Sequence, residues 1–70
     1  MLQSIIDKLI EELNELQGRI DRGTTAVIQW TPESKMSVTQ YRILKDAQLP
    51  AMRSYAEALV QRIDNLQGPL

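Results

Sequence analysis

Hydrophobic positions recur along the first third of the chain at helical intervals. Leu2, Ile6, Leu9, Leu13, Leu16 and Ile20 are separated alternately by four and three residues, the rhythm that holds one seam of a helix against a neighbour. Ile5 and Ile10 flank that seam and broaden the stripe, as in a helix that meets two neighbours rather than one. Glu11, Glu12 and Glu15 lie on the opposite face and read as a solvated surface. Ser4, with Asp7 three residues on, offers an N-cap, and a start nearer Met1 fits equally. Gly23 follows Arg19 and Arg22, and glycine just past cations in a last turn marks a helix end. The pattern predicts a helix over 2–22.

The middle of the chain changes character. Thr24–Trp30 and Met36–Ile43 are rich in β-branched and aromatic residues, which favour strands. Between them Thr31-Pro32-Glu33-Ser34-Lys35 carries a proline placed to set a turn. Two such runs around a short turn predict a β-hairpin over 24–43. A competing reading is a helix start: Pro32 suits a first helical turn, and Ser37 with Gln40 matches a capping box.

Helical rhythm returns over 47–67. Leu49, Met52, Ala56, Leu59, Ile63 and Leu66 form the apolar stripe, with Tyr55 and Val60 beside it. Asp46 is placed as N-cap with Pro50 in the first turn, where a missing N–H costs nothing. Gly68-Pro69 stops the helix. The expected architecture is one small α+β domain over 1–70, two antiparallel amphipathic helices joined by a β-hairpin. The alternative is an all-α helical hairpin.

Composition narrows the chemistry. The 70 residues contain no Cys and no His, with 8 Lys+Arg against 9 Asp+Glu. Triads, thiolate nucleophiles, zinc cages and histidine switches are thereby excluded. The expectation is a non-enzymatic protein with no catalytic residue, no cofactor, no metal and no small-molecule substrate. A net charge of −1 provides no global field for nucleic acid or an anionic membrane. The segment 24–45 is mildly positive, but without a basic stripe of interleaved aromatics nucleic-acid binding is not indicated. Charged residues within the first apolar stretch speak against a leader or membrane span, so the chain is expected to be soluble, in a virion or the cytoplasm.

A chain this short hides only about 60% of its unfolded surface. With each helix offered one good neighbour, Ile5, Ile10 and Val60 would remain in water as a patch that monomers avoid. Trp30 and Tyr41 add aromatic anchors of the kind favoured at interfaces. Ile5, Ile10, Trp30, Tyr41 and Val60 are therefore the predicted interface residues. The predicted partners are further copies of the chain and other assembly proteins.

The order helix, short hairpin, helix resembles the W-type head–tail joining (head completion) proteins of tailed bacteriophages. The likeness is carried by the first helix ending at Arg22-Gly23, the strand Ala26–Gln29, the second strand through Val38 and Tyr41, and the run Met52–Leu59. It covers most of the chain in layout, without a diagnostic motif. The resemblance implies a ring-forming structural adaptor of the virion. The residues alone leave two other readings open: a small helical inhibitor or regulator that binds a host protein, and a dimeric nucleic-acid-binding protein.

Overall fold

The computed structural model describes residues 1–68. Its elements are α1 (Leu2–Gln29), α2 (Val38–Ile43), a π turn over Leu44–Gln48, and α3 (Leu49–Gln67). The backbone is right-handed helical at Leu44, Gln48 and Leu49, so α2, the π turn and α3 form one continuous helical run. At 1.5 Å per residue, α1 and that run are each about 42–45 Å long. They lie side by side in a rod of 50 × 16 × 16 Å.

The expected β-hairpin is not formed: no strand occurs among the described residues, and the domain is the all-α hairpin. Residues 24–29 belong to α1 because the heptad does not stop at Ile20. Gly23 and Val27 continue the alternation of three and four residues and both are half-buried. The propensity cost of Thr24, Thr25, Val27 and Ile28 is only a few tenths of a kcal/mol each, small against extending an existing helix along a buried seam.

Gly23 is accordingly not a helix cap. It sits inside α1 where the helices approach closely, and a Cβ there would lie 2.8 Å from Leu49 Cδ2 and 3.6 Å from Leu44 Cδ1. Helix α1 ends instead at Trp30, whose backbone is extended (φ −64°, ψ 136°). Thr31 precedes Pro32, a position from which the helical region is disfavoured.

The connection is a tight turn followed by a capped start. Ser34 N–H donates to Thr31 O at 2.9 Å, and Thr31 N–H donates to Ser34 Oγ at 2.9 Å. Ser37, extended at ψ 161°, accepts from the Gln40 N–H at 3.2 Å. Of the helix starts that competed with the second strand, the one at Ser37 forms and places Val38–Ile43 in α2, whereas Pro32 lies in the turn and starts no helix. Asp46, expected as an N-cap, lies within the π turn. Pro50 falls at the second position of α3. Proline has no N–H and crowds the carbonyl four residues back. The π turn immediately before it, closed by Leu49 N–H to Leu44 O, accommodates that defect as π-bulges do. Gly68, at φ 82°, terminates α3; Pro69, the other half of the expected stop, lies outside the described residues.

The core is the single seam between the helices. Ile6, Leu9, Leu16 and Ile20 of α1 pack with Leu59 and Ile63 of α3, with Leu13, Met52, Ala56 and Leu66 partly buried against them. Leu59 is wholly enclosed.

The two interior glycines predict opposite outcomes. At Gly18 a Cβ meets only the mobile Arg22 Nη1, at 3.3 Å, so Gly18→Ala should stabilise by about 0.5–1 kcal/mol through helix propensity. Gly23→Leu should destabilise by about 1–3 kcal/mol through overpacking against buried Leu49. Urea midpoints of the two variants check both signs.

Candidate functional site

The seam leaves two long flanks and one capped end. At the end, the loop residues are held by aromatic packing. Trp30 Nε1–H donates to Met36 O at 2.8 Å, and its indole stacks on the Tyr41 ring with centroids 4.3 Å apart and planes inclined by 17°. Lys45 Nζ stands 5.8 Å from the Tyr41 ring centre, within cation–π range. Trp30 and Tyr41, both predicted at an interface, are half-buried and occupied with each other. They secure the return of the chain.

One flank carries Ile5, Glu12, Tyr55 and Arg62. The Tyr55 hydroxyl donates to Glu12 Oε1 across the helices. Glu12 had read as part of a solvated face, so this contact was missed; both residues sit at the edges of their apolar stripes, the one signal that bears on it. A shallow depression beside them is lined by Ile5, Ala58, Arg62 and Leu66. Ile5 itself is 48% exposed.

The opposite flank holds an open groove of about 790 Å3 between α1 and α3. Its apolar floor comes from Leu13, Ile20, Ala56 and Val60. Asn14, Gln17 and Gln61 contribute carboxamides, and Arg53 and Glu57 contribute one charge of each sign. Arg53 Nη2 donates to Thr24 Oγ1 at 3.2 Å, which ties the guanidinium to α1. Ile10, three residues before Leu13 and four before Asn14, extends this flank. Val60 and Ile10 are 43% and 37% exposed. The structure therefore brings Ile10 and Val60 to one flank and places Ile5 on the other. The polar residues of the groove were not singled out by sequence, because amides and charges beside an apolar stripe are indistinguishable from solvated surface.

The groove offers hydrogen-bond donors and acceptors over an apolar floor. Among the described residues no three of His, Cys, Asp or Glu gather as metal ligands, and no helix is long and apolar enough to cross a membrane.

A family model described as Sequestin matches residues 3–65, which takes in both helices and the loop between them. The chain belongs to the Sequestin family. No curated protein and no solved structure matches it.

The interhelical bond on the first flank has a titration signature. Donation to the Glu12 carboxylate holds the Tyr55 phenol above its ordinary value of 10.0; desolvation and the Glu12 charge act in the same direction, and Arg62 opposes them. The neutral phenol is the donor, so the contribution is present below pH 10 and is lost as pH rises through the raised value. Carbon-13 NMR of Tyr55 should give a midpoint above 10 in the folded protein. Glu12→Gln should return it to the ordinary range; an unchanged midpoint would remove Glu12 as the cause.

Proposed function

We propose that this protein is a non-enzymatic binding protein that sequesters a small polar ligand bearing an acidic group, and that the groove between α1 and α3 is its site. The carrying observation is the groove's lining: three carboxamides, an anchored guanidinium and the Glu57 carboxylate around an apolar floor. Its size falls in the range of small-molecule sites, and bundles place such sites between facing helices. Carboxamides recognise hydroxyls and ring edges through paired donors and acceptors, and Arg53 is matched to a carboxylate or phosphate. A chain without His or Cys suits holding a molecule better than transforming it. The family's printed name, Sequestin, speaks of the same task.

This reading takes up the regulator alternative and exchanges its host-protein partner for a small molecule. The head–tail connector reading drew on a helix–hairpin–helix layout whose two strands are helical here, and no other observation favours it.

The test is retention. The protein is mixed with a small-molecule cell extract, washed by ultrafiltration and denatured, and the released molecules are identified by mass spectrometry. Wild type should release an acidic small molecule in near-stoichiometric amount. Arg53→Ala should lose at least about tenfold in affinity, the usual scale of a charge-assisted contact. An empty wild-type filtrate, or equal retention by Arg53→Ala, would overturn the assignment.

A further inference from the structure

The accessible surface of the chain is 5453 Å2. A compact monomer of 8.0 kDa would expose about 4,450 Å2. The excess of about 1,000 Å2 is close to the ~800 Å2 that each partner buries in a standard-size interface. The excess follows from the rod, in which each helix has only one neighbour.

The two flanks are not equivalent covers for it. The Tyr55 flank carries Glu12 and Arg62 and spends its phenol on an intramolecular bond. On the groove flank, α1 presents Ile10, Asn14 and Gln17 in succession without a charge, and α3 presents Val60 together with the opposed charges of Arg53 and Glu57. Interface centres are depleted of charge, and the uncharged row of α1 together with Val60 meets that requirement, whereas α1 carries Glu12 on the Tyr55 flank. The groove is also open, whereas ligand sites generally bury about 70–90% of the molecule they hold. One hairpin leaves a bound ligand in contact with solvent.

We infer that a second copy of this chain docks on the groove flank, around a twofold axis, so that Ile10 and Val60 of each copy are covered and the two grooves close over each other. The pair forms a four-helix layer, and the site assigned above is incomplete without the second copy. The ligand part of this inference rests on the proposed function; the interface itself does not.

The test measures mass and ligand separately. Light scattering and native mass spectrometry of the full chain, without ligand, should show a dimer with a dissociation constant below about 100 μM. Val60→Asp should raise that constant by more than about tenfold, as loss of a central apolar anchor does. Ile5→Asp, on the other flank, should leave it unchanged. Both side chains are nearly half exposed in the single chain, so circular dichroism should report retained helix. A wild-type chain that stays monomeric would overturn the interface even if Val60→Asp fails to fold. Association broken by Ile5→Asp and not by Val60→Asp would overturn the choice of flank. Dimer without a retained small molecule would refute the sequestering role and keep the interface. A monomer that retains the molecule would do the reverse.

Discussion

A single seam of aliphatic side chains between two helices is what the whole molecule depends on. In a rod 16 Å thick there is no second layer, so each buried side chain points at that seam. Burying a Leu or Ile side chain contributes about 1.5–3 kcal/mol, and the seven buried among the described residues must hold both helices in phase over most of their length. Phase is therefore the constraint. Leu44 and Leu49 both touch the position of Gly23, although five residues separate them. At 100° per residue, five α-helical steps would set them about 140° apart. The π turn between them is wider per residue and brings both to one side. The proline that forbids a regular helix at this point and the turn that restores the apolar face are thus parts of one local solution.

Much of this was legible. The stripes of α1 and α3 are read correctly from spacing alone, because Leu and Ile at alternating intervals of three and four have no strand equivalent. What misled was the weight given to residue type over phase. Thr24, Thr25, Val27 and Ile28 favour strands locally, yet Gly23 and Val27 keep the heptad beat, and the beat prevails because the seam rewards it. Gly23 looked like a stop for the same reason: glycine both ends helices and permits close approach, and only the opposing Leu49 distinguishes the two. Ser37 with Gln40 was a true helix start in competition with a strand reading, and the capping bond decides for it.

The site was less legible than the fold. Exposure at Ile5, Ile10 and Val60 follows from counting neighbours, which sequence permits. The aromatic residues could not be placed that way. Trp30 and Tyr41 sit eleven positions apart in sequence, and their stacking depends on the turn at Thr31–Ser34 folding the chain back on itself. Asn14, Gln17, Arg53 and Glu57 converge only once two helices are set antiparallel in one register, and no periodicity marks them in advance.

A one-seam hairpin also ties binding to assembly. A ligand that contacts groove walls from one hairpin gains few interactions, and one enclosed by two gains both sets and loses its solvent-exposed face. In the paired arrangement inferred above, ligand and second copy each favour the same closed state, so each raises the apparent affinity of the other, as linkage requires. The polar lining has a role in that coupling. A wholly apolar flank would pair in many registers, whereas buried carboxamides and a guanidinium must find partners, and a misaligned pairing leaves them unsatisfied at about 1–3 kcal/mol per group. Asn14, Gln17 and Arg53 would then favour the register that leaves none of them unsatisfied.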